Sequence, residues 1–270
     1  LAGLILHIGM HKTGSSAIQR FLLRARPALW LHGVAYPREA DADGRPMPKQ
    51  NRLFLALSHE KDQGRPHPVI GPSAALVERI ARRAAGPGRL ILSSEGLSGP
   101  WPGFAAALAP LRGRVPVRVI CLVRRQDDWA LSMWRQLALR GTPPERRPFR
   151  DWLAAPDTRA HLDHAAMLDR WATALGEDSI RVVRYHPAGM IPAFLAAAGL
   201  PGWMARLPGG AARVNESLDD AEFRRLTGMS PPDFTAAERA ALMAGLSAGN
   251  DEVRQRFPPG LPVPMADETW

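Results

Sequence analysis

Cysteine is almost missing from this sequence: Cys121 stands alone among 270 residues. A lone cysteine excludes an internal disulfide framework and any cysteine-rich metal centre, and its setting in the apolar run VRVICLV marks a buried, inert thiol. No apolar run approaches the ~20 residues of a membrane-spanning helix. No basic-then-apolar leader opens the chain either, because the first strand pattern starts at once, so the expected location is cytoplasmic. Internal repeats and coiled-coil heptads are absent, which excludes solenoid and coiled-coil architectures. Acidic residues are the minority charge, 26 against 35 lysines and arginines, for a formal +9. That excess draws anions of every kind, from nucleotides to membrane surfaces. It is spread in short pairs (Arg82-Arg83, Arg124-Arg125, Arg146-Arg147) rather than gathered in a tail, so nucleic acid is not the expected partner.

What is present begins at Leu4. The stretch LILHIGMHKTGSSAIQ runs from an apolar strand through a short polar turn into a periodic segment that continues to about Leu31. Gly9 and Gly14 let the backbone turn tightly and approach a ligand, and the first N–H groups of the following helix favour an anion there. Lys12 adds a full charge; Thr13, Ser15 and Ser16 add hydroxyl donors, with His11 alongside. The loop reads as a cradle for phosphate or sulfate. In nucleotide hydrolases the lysine follows the second glycine and a Ser or Thr then holds magnesium. Here Lys12 precedes Gly14, and no magnesium-binding carboxylate motif is apparent.

Buried strand patterns recur at Leu90–Leu92, ending in Ser93, Ser94 and Glu95, at Val115–Val123, ending in Arg124, and at Ser179–Tyr185. Helical patterns separate them: Ala74–Ala85, Asp127–Leu139, Phe149–Ala154, Leu162–Leu175 and Ile191–Ala198. Buried strands alternating with helices predict an α/β fold with a central parallel sheet flanked by helices in three layers, functional groups gathering at the strands' C-terminal ends. His32–Pro37 reads as a turn into a short extended piece. Residues 38–72 are rich in Pro, Gly, Arg and Asp and read as an irregular loop around a short helix, Asn51–His59. Helices are expected near Leu218–Leu226 and Thr235–Leu246, then a proline-rich tail. The expected organisation is one domain over 1–270, with an α/β nucleotide-binding core over 1–200 and a mostly helical part over 201–270.

The lysine-first order of HKTGSS resembles the phosphosulfate-binding loop of sulfotransferases that use 3′-phosphoadenosine 5′-phosphosulfate (PAPS), particularly bacterial members and those similar to the carbohydrate sulfotransferases. In VICLVRRQDDWALSMW, Arg124 ends a strand and Ser132 follows eight residues later, which resembles the 3′-phosphate signature of the same family. A guanidinium fork with a hydroxyl suits a phosphate monoester. The resemblance implies a P-loop-type fold, transfer of a sulfuryl group from PAPS to a hydroxyl or amine of a small-molecule or carbohydrate acceptor, PAP (adenosine 3′,5′-bisphosphate) as product, and no metal. It implies Lys12 at the leaving group and Glu95 as the base that takes the acceptor's proton, where cytosolic animal members have histidine. The competing reading of Glu95 is a strand-end carboxylate paired with an arginine. His11 is the alternative base, and His59 and Glu60 are candidate acceptor contacts. Arg213, in Arg213-Val214-Asn215-Glu216-Ser217, resembles a further phosphate contact of bacterial relatives. His7 reads as a satisfied core or edge histidine, Trp129 and Trp134 as packing for their helix, and His161 and His164 as a solvated helix face. Two rival functions remain: a P-loop kinase-like phosphotransferase, which should show a GK[ST] order, and a non-catalytic nucleotide- or polyanion-binding protein.

Overall fold

The computed structural model describes residues 2–40, 46–187, 189–208 and 219–257. Its strands are β1 (Gly3–His7), β2 (Val34–Ala35), β3 (Glu39–Ala40), β4 (Pro46–Met47), β5 (Arg89–Ser93), β6 (Val117–Val123) and β7 (Ile180–Arg184). Helices α1 (Ser15–Arg24), α2 (Arg26–Leu31), α3 (Arg52–Gln63) and α4 (Ser73–Ala85) fill the first third. After them come α5 (Gly103–Ala106), α6 (Gln126–Arg140), α7 (Phe149–Ala154), α8 (Pro156–Leu162), α9 (His164–Leu175), α10 (Met190–Ala197), α11 (Asp220–Thr227) and α12 (Ala236–Arg256). Five strands form one sheet in the order β2-β5-β1-β6-β7, every pairing parallel, while β3 and β4 make a separate antiparallel pair.

All five residues of β1 are buried, because helices cover the sheet on both faces. Leu4, Leu6 and Ile8 join the core under α3, α4, α6 and α9, whereas Ile5 joins Ile91, Ile120 and Val183 in the core under α1 and α10. This is the three-layer α/β architecture expected from the alternating patterns. Register places His7 opposite both Ser93 of β5 and Ile120 of β6, and Ser94 N–H donates to the His7 carbonyl. The segments leaving β1, β5 and β6 therefore emerge side by side at the sheet's C-terminal edge. In parallel sheets, ligands bind at that edge, beside the strand where the order reverses.

Local differences from the sequence reading have identifiable causes. The helical run from Ser15 divides at Ala25, since Pro27 has no amide for the carbonyl one turn back and sits instead in the first turn of α2. The extended piece after His32 is β2, a two-residue edge strand paired with the start of β5. The expected Leu162–Leu175 helix starts at His164, because the Asp163 side chain caps it by accepting from Ala166 N–H. Helix α12 runs ten residues past Leu246, to Arg256, from a Thr235/Glu238 capping box. Gly245, Gly249 and Asn250 mask it in the sequence, and burial of Asn250 and Val253 offsets their poor propensity. Among the described residues, no helix is long and apolar enough to cross a membrane.

Candidate active site

Beyond β1 the chain keeps hydrogen-bonding to β6, through Ile8 N–H to the Ile120 carbonyl (3.0 Å) and Met10 N–H to the Leu122 carbonyl (3.2 Å), before it turns. Thr13 and Ser15 are buried and turn their hydroxyls inward, onto the Met10 carbonyl at 2.5 and 3.4 Å. They brace the loop from inside, so what they offer a ligand is their backbone N–H. Lys12 has φ 63°, and among the described residues no other non-glycine adopts a positive φ. A side-chain-bearing residue held there stores strain, a mark of functional loops. Gly14 follows at φ 81°, where an added Cβ would lie 3.2 Å from Met190 Cγ and 3.5 Å from a Tyr185 ring carbon. It caps α1 without a side chain, while Ala17 and Ile18 donate to its carbonyl. The amides at the start of α1, before Ala17, have no acceptor within the helix, and such amides suit anion oxygens. Ser16 is half-buried at the start of α1. The half-buried Lys12 ammonium has its pKa lowered by burial first, then by Arg124 and Arg140.

Glu95 begins a tight helical turn directly after β5 and is 8% exposed. Its carboxylate is held from two sides: Gln19 Nε2 donates to Oε2 at 2.7 Å, and Lys49 Nζ pairs with Oε1 at 3.2 Å. Burial alone pushes the carboxyl's pKa up, but Lys49, Gln19, its own backbone amide and His11 together outweigh that and hold it below the ordinary range. Its partner is a lysine rather than the arginine expected for a structural role. Beneath it, Ser93 Oγ accepts from Gln19 Nε2 (3.1 Å) and meets His7 Nδ1 (2.7 Å). His7 is fully buried, and among the described residues its Nε2 has no hydrogen-bond partner, which corrects the expectation of a satisfied histidine. Burial drops its pKa to about 4. His11 is half-buried in the loop; burial lowers its pKa, with Glu95 opposing and Lys49 reinforcing.

Arg124 leaves the end of β6 and crosses to the loop, its guanidinium donating to the Lys12 carbonyl at 3.1 Å and lying 5.0 Å over the Tyr185 ring. One N–H is spent on the loop, leaving the rest of the fork for an anion. Ser132 is half-buried on α6, two turns from its start. Arg125 instead pairs with the buried Asp127 at 3.0 Å. Trp129 packs as expected, stacked on Trp152 and His161, but also donates its indole N–H to the His11 carbonyl at 2.9 Å, tying α6 to the loop. His164 is buried, not solvated as expected, because Gln126 and Asn250 form a polar cluster around it. Arg213, Asn215, Glu216 and Ser217 lie outside the described residues.

With this geometry in place, comparison with solved structures is informative. A sulfotransferase from Alicyclobacillus acidocaldarius superposes with a TM-score of 0.54 over 95% of this chain and 96% of its own, at 16% identity. The chain has a sulfotransferase fold. A sulfotransferase domain from the curacin biosynthetic pathway aligns over 92% of this chain and 98% of its own at 12% identity, with a TM-score of 0.44, too low to add to the argument. No protein-family model and no curated protein matches the sequence.

On this sulfotransferase fold, three site residues escaped the sequence reading. Lys49 lies in the stretch whose composition reads as irregular loop. It is pinned because Gln50 brackets the end of β5, its N–H donating to the Ser93 carbonyl (2.9 Å) and its side chain accepting from Ser93 N–H (2.8 Å). Nothing local in the sequence announces that pairing. Gln19 had a signal, a polar side chain on the face of α1 that carries Ile18 and Leu22, where only a partnered amide is tolerated. Arg140, at the end of α6, bears on Lys12 electrostatically from outside the expected motif.

Proposed function

We propose that this chain is a PAPS-dependent sulfotransferase acting on a hydroxyl, or an amine, of a small-molecule or carbohydrate acceptor. The observation that carries the reading is the contact of Arg124 with the Lys12 carbonyl, which joins the anion loop to a second, separate cation on the neighbouring strand. A nucleotide with a sulfated 5′-phosphate and a 3′-phosphate needs two anion sites held at a fixed spacing. The loop amides, Lys12 and Ser16 would hold the 5′ end; Arg124 and Ser132 would hold the 3′-phosphate, with His11 and Arg213 as further contacts. The chemistry of the cradle fits such a group, since the start of α1 carries no side-chain cap on its first amides and Lys12 lies beside it.

In the transfer, the acceptor oxygen forms a bond to sulfur as the sulfur–oxygen bond to the 5′-phosphate breaks. The electron pair of that bond leaves with the phosphate oxygen, and the acceptor's proton goes to Glu95. Lys12 meets charge growing on the leaving oxygen, the place where a fixed cation lowers the barrier most. Glu95 is ionised at neutral pH, and Gln19 and Lys49 fix its direction. The Lys49 pairing also separates this reading from a kinase-like one: a carboxylate serving magnesium would have to give up the ammonium already on its Oε1. The buried lone cysteine fits a reducing compartment, and the reading places the reaction in the cytoplasm. The test is incubation with sulfur-labelled PAPS and a panel of alcohols, amines and glycans. Transfer of label with release of adenosine 3′,5′-bisphosphate is expected. Label that stays in PAPS across a broad panel, while the γ-phosphate of magnesium ATP is transferred, would overturn the proposal.

A further inference from the structure

The edge of the sheet opposite the active site carries an arrangement that sulfuryl transfer does not use. Near their starts, β5 and β6 bear Arg89 and Arg118, level with Gly3 and Ile5 of β1 and each two residues before a core residue of the α10 face (Ile91, Ile120), so both lie on that face; Arg181 of β7, two residues before Val183, shares the face but stands level with His7. Arg89 donates to the Ala198 and Gly199 carbonyls, and Arg118 to that of Ala197, at the end of α10. Arg181 uses the Asp178 and Ile180 carbonyls. Among the described residues none of the three pairs with a carboxylate, and the nearby Glu177 is taken by Arg256 at 3.1 Å. Burial, then Arg181 and Arg89, lower the pKa of Arg118, so the guanidiniums feel one another.

Beside them the surface is apolar where it should be polar. Trp30 and Leu31, ending α2, are 75% and 76% exposed, and Trp203 is 47% exposed in the turn that follows α10. His32 bridges the two, its ring 5.6 Å from that of Trp203. The Gly33 carbonyl accepts from the Arg89 backbone N–H, so the chain leaving α2 lies against the start of β5. Arg206, in the same turn as Trp203, is exposed, as is Arg24 at the end of α1.

We propose that this N-terminal edge of the sheet docks the chain on an anionic lipid surface. Indole rings favour the headgroup level of a bilayer, where an apolar body and a polar N–H are both satisfied, and arginines beside them attract anionic headgroups. A second copy is a poor occupant, because a self-complementary interface would press two sets of carboxylate-free arginines together. The chain's +9 charge adds attraction at longer range. Docked this way, the donor loop lies across the sheet from the lipid, about 16 Å away along β1 at ~3.3 Å per residue, open to water-borne substrates.

Vesicle co-sedimentation tests this without knowledge of the acceptor. The protein should pellet with phosphatidylcholine vesicles containing phosphatidylserine, not with phosphatidylcholine alone, and should be released by high salt. Trp30→Ser with Trp203→Ser should weaken binding by roughly tenfold or more at unchanged melting temperature, since both side chains are exposed. Arg206→Gln should weaken it less. Adenosine 3′,5′-bisphosphate should not displace the protein. Failure to pellet, or displacement by the bisphosphate, which would put the headgroup in the donor cleft, overturns the proposal. A dimer in solution dissolved by the double variant, or retention of the face by an acidic protein in place of vesicles, overturns it as well. None of these results bears on sulfuryl transfer itself.

Discussion

At Glu95 the carboxylate is charged yet enclosed, and the balance between burial and its three stabilising neighbours sets how strong a base it is. Lys49 is the largest influence holding the group ionised, and an ionised carboxylate of depressed pKa trades basic strength for availability. Glu95→Gln should therefore cut turnover roughly a hundredfold while barely changing bisphosphate affinity. Lys49→Ala should raise the Glu95 pKa and move the acidic limb of the rate–pH profile upward. Activity within a few-fold of wild type in Glu95→Gln would transfer the role to His11. The strand-end position of Glu95 was legible in the sequence, but its partners were not, because Lys49 reaches it across 46 residues. His7 yields a different test. Burial sets its folded pKa near 4, below the ordinary 6.5, so between those values the unfolded chain binds a proton that the folded chain refuses. Stability then falls as pH drops from 6.5 toward 4, by up to about 3 kcal/mol at this residue. His164, also near 4, adds a limb of the same sign. Melting temperature against pH should decline less steeply in His7→Gln; an unchanged slope would contradict this account.

At the scale of elements, the loop between β1 and α1 depends on what lies beneath it. A Cβ on Gly9 would stand 2.5 Å from His7 Nε2 and 2.8 Å from Ser15 Oγ, both packed and unable to retreat cheaply. Gly9→Ala should cost about 1–3 kcal/mol by overpacking and weaken bisphosphate binding in proportion as the loop shifts. Wild-type affinity in that variant would show the loop to be more pliant than its packing indicates. The C-terminal helix is tied in by charge. Arg239 on α12 reaches the buried Asp127 and the more exposed Asp128 at the start of α6, both at 3.0 Å. Arg239→Ala leaves Asp127 with Arg125 and the Asp128 N–H and should lower the melting temperature by several degrees, with bisphosphate affinity within a few-fold. Elements with strong period were readable in advance: β1, β6, β7, α4 and α10 stand within a residue or two of expectation. Those that tertiary contacts create were not, as with the two-residue β2 and the last ten residues of α12.

For the whole molecule, strand order and register do the functional work. They bring the ends of β1, β5 and β6 to one edge, so that residues as distant in sequence as Lys12, Glu95 and Arg124 stand at the same end of the sheet, while the opposite edge is left to arginine and tryptophan. The first half of this arrangement was legible, because parallel sheets gather function at C-terminal strand ends and each motif sat where a strand stops. The second was not: Arg89 and Arg118 open separate strands, level with Gly3 and Ile5 of β1, and only the sheet register brings them to the same half of one face. The central claim is that one cleft holds two anion sites, the loop at Lys12 and the fork at Arg124. Isothermal calorimetry with adenosine 3′,5′-bisphosphate and adenosine 5′-monophosphate, on wild type and Arg124→Ala, tests it most directly. The account predicts that wild type prefers the bisphosphate by roughly tenfold to a hundredfold, the worth of a charge-assisted contact, and that Arg124→Ala removes the preference while retaining binding of the monophosphate. Equal affinity of wild type for the two nucleotides would contradict it.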